Sequence, residues 1–118
     1  MAYRAVHRYA RISARKVRPL ADLVRGKFAD EALEMLRYQP NRGARMLEKV
    51  IKSAVGSAQD IDQNSGRSYG AEELVVVDAR IDGGPIMKRF RPMSRGQAFT
   101  ILKRSSHISV ELKRLEEL

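Results

Sequence analysis

Between Gly83 and Val110 the chain reads GGPIMKRFRPMSRGQAFTILKRSSHISV, without a single acidic residue. Six basic residues fall in it: Lys88, Arg89, Arg91, Arg95, Lys103 and Arg104. Gly83, Gly84, Pro85, Pro92 and Gly96 break up its first half, where Ile86, Met87, Phe90 and Met93 follow neither a helical nor a strand period well. Cationic groups taken into a core need partners, and this stretch supplies none. It reads as a projecting arm whose partner is a polyanion. The rest of the chain then reads as the platform that holds the arm.

The charge distribution supports the same division. Net charge is +9 over 118 residues, a property that speaks of partners rather than of fold. Met1 to Ala21 is also free of acid and carries Arg4, Arg8, Arg11, Arg15, Lys16 and Arg18. The two windows together hold twelve of the 23 basic residues, so the remaining eleven face all 14 acidic ones and the rest of the chain sums to −3. A surface charged only for solubility would intersperse the signs. Nucleic acid is the first candidate partner and an anionic membrane surface the second.

Hydrophobic residues make up 43% of the chain, too many for a disordered tail. The length suits one domain with a modest core, expected over residues 1–118 with an extended hairpin arm at 83–100. There is no cysteine, hence no disulfide frame and no thiolate metal site, which suits a reducing cytosol. No apolar run approaches the roughly 20 residues of a membrane helix. The N-terminus lacks the apolar core of a signal peptide. It is Arg-rich and acid-poor, as organelle transit peptides are, but Tyr3 to Ile12 looks structured and is taken as mature protein.

In chain order, Tyr3–Ile12 alternates loosely, with Arg4, Val6, Arg8 and Ala10 on one side and Ala5, His7, Tyr9 and Arg11 on the other, which suggests a strand. Ser13 can cap a helix running to Arg25 and stopped by Gly26. Its apolar stripe would be Val17, Leu20, Leu23 and Val24, with Pro19 expected to bend or restart it. Asp30 opens a second, short helix that buries Ala32, Leu33, Met35 and Leu36. Asn41 caps a third and longest helix, whose inward face is Ala44, Leu47, Ile51, Ala54 and Ala58, widened by Val50 and Val55. Asp60–Gly70 is a loop by composition. Leu74–Val77 starts a strand that becomes two-faced by Asp82, and Ala98–Leu112 returns, with Ile108, Val110 and Leu112 alternating. Half of the basic stretch between these strands can reach roughly 40 Å at about 3.3 Å per residue. Glu111–Leu118 is a charge-mixed tail.

Nothing in the chain assembles into a catalytic set. His7 and His107 are the only histidines, and two distant histidines make a poor metal site. The acid pairs Asp60/Asp62 and Glu72/Glu73 lie in or beside a polar loop. Gly83-Gly84 lacks the downstream Gly-Lys-Ser/Thr of a phosphate loop, and Ser105-Ser106-His107 is adjacency rather than a triad. No enzyme, metal or cofactor is expected.

Four blocks carry a family resemblance. Ser13-Ala14-Arg15-Lys16-Val17-Arg18 with Ala21-Asp22-Leu23-Val24-Arg25-Gly26-Lys27 resembles the first-helix signature of the twenty-second protein of the large ribosomal subunit, bacterial type. Gly84-Pro85-Ile86-Met87-Lys88-Arg89 resembles that family's arm, Pro92 with Arg95-Gly96-Gln97-Ala98 its return, and Leu102-Lys103-Arg104-Ser105-Ser106-His107-Ile108 its closing strand. The blocks follow the family's order and span nearly the whole chain. Three positions depart from it: Pro19 where an aliphatic residue is common, Gly83 where an acidic one is, and Met93 where a basic one is.

The resemblance implies an α+β fold, three helices on a small antiparallel sheet with a long protruding β-hairpin. It implies a cytoplasmic ribosomal protein that binds large-subunit ribosomal RNA and aids subunit assembly. Its hairpin would line the nascent-peptide exit tunnel beside the fourth large-subunit protein. Candidate RNA contacts are Arg4, Arg8, Arg11, Arg15, Lys16, Arg18, Arg25, Lys27, Lys88, Arg89, Arg91, Arg95, Lys103, Arg104, Ser105 and His107. Met87, Lys88, Arg89, Phe90, Arg91 and Pro92 are expected at the tunnel-lining tip, in contact with the nascent peptide. No stable homo-oligomer is expected. The alternative is an architectural DNA-binding protein that inserts a basic hairpin into a groove, although such hairpins usually need a dimer and no dimerisation helix is left over. A membrane surface fits least, because the basic segments lack a clean apolar face.

Overall fold

The computed structural model describes residues 2–64 and 71–117. It contains β1 (Tyr3–Ala10), α1 (Ala14–Val24), α2 (Ala29–Arg37), α3 (Arg42–Asn64), β2 (Leu74–Gly83), β3 (Met87–Pro92), β4 (Ala98–Lys103) and β5 (Ser106–Arg114). The fold is α+β, as expected. β1, β5 and β2 form an antiparallel sheet in that order. The three helices cover one face of it: α1 lies against β2, α3 against β1 and β5, and α2 against α3.

The core follows from two periods meeting. Ser106, Ile108, Val110 and Leu112 alternate inward along β5, while Ala44, Leu47, Ile51, Ala54 and Ala58 recur along α3, and all are buried. On α1 the inward set is Val17, Leu20, Ala21 and Val24. Leu23 is 44% exposed, not part of the stripe as expected. At 100° per residue, 17, 20, 21 and 24 share one face and 23 falls off its edge. Pro19 does not break α1, which runs unbroken from Ala14 to Val24. Ser13 sits at the N-cap but its hydroxyl makes no capping bond.

Past α1, Gly26 takes φ +86°, the left-handed turn for which glycine was expected. The chain then joins the sheet edge: the Gly26 amide donates to the Val76 carbonyl (2.8 Å) and the Val76 amide to the Lys27 carbonyl (2.9 Å). α2 starts one residue before Asp30, with Phe28 at its N-cap and Asp30 and Glu31 in its first turn, where carboxylates oppose the helix dipole's positive end. Met35 is only half-buried. The free carbonyls at its far end are taken by Arg45 of α3, which donates to those of Leu36 (2.8 Å), Arg37 (3.0 Å) and Gln39. α3 extends through Asp60–Asn64, which composition had placed in a loop. The rest of that expected loop lies outside the described residues. Lys113 and Arg114, read as tail, continue β5.

β1 contains a bulge. Its pairing with β5 skips from His7↔Ile108 to Ala10↔Ser106, so Tyr3 and Ala5 turn inward before the skip and Ala10 after it. One inserted residue reverses the side-chain phase, which is why the period in Tyr3–Ile12 looked loose.

β3 and β4 pair only with each other, from Met87↔Lys103 to Pro92↔Ala98. The expected single hairpin is thus broken at 84–86 and 104–105 into a body sheet and a separate ribbon. The ribbon stands off the body. The long axis measures 68 Å against 26 and 19 Å, and the radius of gyration is 17.6 Å, where a compact chain of this length would have about 13.5 Å.

Candidate nucleic-acid interface

Every residue of β3 is exposed, and every residue of β4 except the half-buried Ile101. Register assigns the two faces. Met87, Arg89 and Arg91 lie opposite Lys103, Ile101 and Phe99 on one; Lys88, Phe90 and Pro92 lie opposite Leu102, Thr100 and Ala98 on the other. Cations and apolar groups therefore interleave on both faces, which explains the missing period. Phe90 is 70% and Phe99 57% exposed. An isolated two-stranded ribbon is marginal in water, and this one buries neither face.

The apex is Met93–Gln97, closed by the Met93 amide donating to the Gln97 carbonyl (2.6 Å). Arg95 takes φ +62° and Gly96 φ +73°. Met87, Lys88 and Arg89, expected at the tip, stand instead at the ribbon's root. The strands pair symmetrically about residue 95, so residues 87–92 form the ascending shaft and Ser94, Arg95 and Gly96 reach furthest.

At the root the two acid-free windows meet. A groove of about 1080 Å³ is lined by Arg11, Ile12, Ser13, Arg15 and Lys16 from the N-terminal window, by Asn41, Arg42 and Gly43 from α3, and by Met87, Arg89, Leu102, Lys103, Arg104 and Ser105 from the ribbon. It contains seven cations and no acid, and all seven are exposed. The N-termini of both α1 and α3 open into it. Neither first turn contains an acidic residue; Arg15 and Lys16 occupy one and Arg42 the other, while Arg45 turns away to the α2 carbonyls and Glu48. Helix N-termini carry partial positive charge and free amides, and favour anions. Adding cations there is unfavourable for the isolated chain and favourable once an anion arrives.

The other candidates lie elsewhere. Arg4 projects from the sheet's open face and pairs with Glu111 across the strands (3.4 Å). Arg8 is exposed at the bulge. Arg18 donates to the Ile81 carbonyl (3.3 Å), holding α1 on β2. Arg25 bridges Asp22 (2.7 Å) and the Ala79 carbonyl, and Lys27 sits beside it at the sheet edge. Lys88, Arg91 and Arg95 are exposed along the ribbon. Ser105 donates its hydroxyl to the Pro85 carbonyl (2.7 Å), tying the neck between body and ribbon. His107 accepts the Tyr9 amide at Nδ1 (3.0 Å). Arg42 was not among the candidates. Its guanidinium donates to the Arg11 carbonyl, and the signal available for it was a cation directly after the Asn41 cap.

Among the described residues no cluster of three or more His, Cys, Asp or Glu is placed to hold a metal, and no helix is long and apolar enough to cross a membrane.

The model of the family described as ribosomal protein L22p/L17e matches residues 5–113. A protein named large ribosomal subunit protein uL22 from Rhodopirellula baltica is 67% identical over 116 residues, covering 98% of each chain. The protein of the same name from Caldicellulosiruptor saccharolyticus is 45% identical over 112 residues, covering 95% of this chain and 88% of its own. That from Desulfosudis oleivorans is 44% identical over 108, covering 92% and 90%.

Proposed function

Because the chain belongs to the ribosomal protein L22p/L17e family, whose members are structural rather than enzymatic, we propose that it is a constituent of the large ribosomal subunit in the cytoplasm. It binds large-subunit ribosomal RNA through the groove and the ribbon, and it aids subunit assembly. The observation that carries this reading is the acid-free groove into which two helix N-termini, themselves loaded with cations, both open. Phosphates neutralise that array, and most of the affinity is then electrostatic and salt-dependent. Arg can grip phosphate through two nitrogens and stack on unpaired bases. The interleaved Phe90, Phe99 and cations of the ribbon suit a partner that surrounds it with both bases and phosphates.

In this reading the ribbon threads between RNA segments and its far end contributes to the wall of the nascent-peptide exit tunnel, near the fourth large-subunit protein. The apex Ser94–Gly96, rather than Met87–Arg89, faces the passing peptide. The test is sedimentation of tagged chain from a cell lysate through a high-salt gradient. Co-migration with the large subunit, retained at high salt, is expected of a threaded ribbon. Release to the top of the gradient, together with equal competition by duplex DNA and structured RNA, would replace this reading with the architectural DNA-binding one.

A further inference from the structure

Among the described residues, Tyr9 and Arg95 alone take a positive φ without being glycine. Arg95 sits in the apical turn, where that is ordinary. Tyr9, at φ +57°, is a bulky aromatic in a conformation such side chains rarely adopt. It occupies the β1 bulge, where Arg8 and Tyr9 together oppose His107 and the regular ladder is lost. Its amide, deprived of a strand partner, is satisfied by Nδ1 of His107 at 3.0 Å. The two rings stand edge to face, with centroids 4.9 Å apart and planes at 86°. The phenol ring is thus fixed at both its backbone and its ring, yet it is 65% exposed.

A bulge alone asks only for glycine, which adopts this φ without strain. What the tyrosine adds is a held aromatic surface. Its position gives the surface a use. Nε2 of His107 lies 3.4 Å from where a Cβ on Gly84 would stand, so the ring pair abuts the neck of the ribbon. Arg8 precedes Tyr9 and Arg11, a wall of the basic groove, follows it two residues later, both exposed.

We propose that Tyr9 is a stacking platform for one unpaired RNA base at the root of the ribbon, with His107 as the positioning residue that sets the ring. The inference rests on the RNA-binding reading of the groove and names a contact within it. An unpaired base flanked by phosphates matches a fixed ring flanked by cations.

The test is equilibrium binding of the full chain to deproteinised bacterial large-subunit ribosomal RNA over a range of salt. Tyr9→Phe and Tyr9→Trp keep a π-face and are expected to bind within twofold of the parent chain. Tyr9→Leu keeps the bulk without the π-face and is expected to bind roughly 5- to 150-fold more weakly. Its salt slope should be unchanged, since no phosphate contact is lost. Equal affinity of Tyr9→Leu and the parent would overturn the proposal, as would equal weakening by Phe and Leu, which would assign the effect to the hydroxyl. A parent chain without salt-dependent binding would overturn the RNA reading of the groove itself. Thermal melting of each variant separates binding from folding, and the Phe and Trp variants keep the comparison decisive where Leu alone perturbs the bulge.

Discussion

Replacing residues 84–105 by a two-residue Asn-Gly turn between the paired Gly83 and Ser106 removes the ribbon and its neck while leaving the body's ladder closed. The cost to the body follows from burial. No residue among those 22 is buried, and only Gly84, Ile101 and Ser105 are half-buried, so the hydrophobic loss is at most about 1 kcal/mol. The neck hydrogen bonds, Gly84 amide to Ser105 carbonyl and Ser105 hydroxyl to Pro85 carbonyl, are replaced by those of the turn. Against this, the loop shortens from 22 residues to two, between three and four halvings, which returns about 2 kcal/mol of closure entropy. The variant should therefore unfold within about 2 kcal/mol of the parent in urea, with a melting temperature within about 10 °C. The same change deletes Lys88, Arg89, Arg91, Arg95, Lys103 and Arg104. If each meets a phosphate, the slope of log affinity for ribosomal RNA against log salt falls in magnitude by about 4 to 5. Destabilisation beyond about 3 kcal/mol would mean the ribbon carries core contacts and would refute the standing-off geometry. An unchanged slope would remove the ribbon from the interface.

Three further outcomes are expected. A Cβ on Gly84 would meet Oγ of Ser105 at 2.6 Å and its backbone carbon at 3.3 Å, so Gly84→Ala should cost about 1 kcal/mol and Ser105→Ala about 0.5, while the double variant costs less than the sum of the two; additive losses in urea melts would count against the neck contact. Arg25→Ala, losing Asp22 and the Ala79 carbonyl, should lower stability by about 1 kcal/mol and leave the RNA salt slope untouched, whereas Arg15→Ala should leave stability unchanged and lower that slope by about one; the reverse pattern would exchange their roles. Ser106 buries a hydroxyl with no hydrogen-bond partner among the described residues, so Ser106→Ala should raise stability by up to about 1 kcal/mol, and a loss in calorimetry would reveal a partner for it.

What was legible in the chain was whatever repeats. The α3 stripe and the β5 alternation are periodic because each packs on a single core, and both were read at the correct residues. The two acid-free windows announced an anionic partner, yet not that they converge. That depends on β1 lying beside β5, a pairing across nearly the whole chain length. Leu23 looked inward because hydrophobicity was counted without its angle about the helix. The bulge at Tyr9 escaped because an inserted residue erases the alternation that would reveal a strand. Arg18, Arg25 and Ser105 matched an RNA-binding pattern by type, but each engages a carbonyl of the chain itself. Residue type alone does not reveal such internal bonds, one of which Arg42 in the groove also makes. The apex, by contrast, was open to simple counting, since a hairpin rooted at 83 and 106 must turn near residue 95.

The break in the ladder at 84–86 and 104–105 also divides the chain by what constrains it. Side chains on one side of the neck answer to packing density, and those beyond it answer only to what they touch. Substitutions in the ribbon therefore alter recognition without the stability penalty that usually limits change at a binding surface.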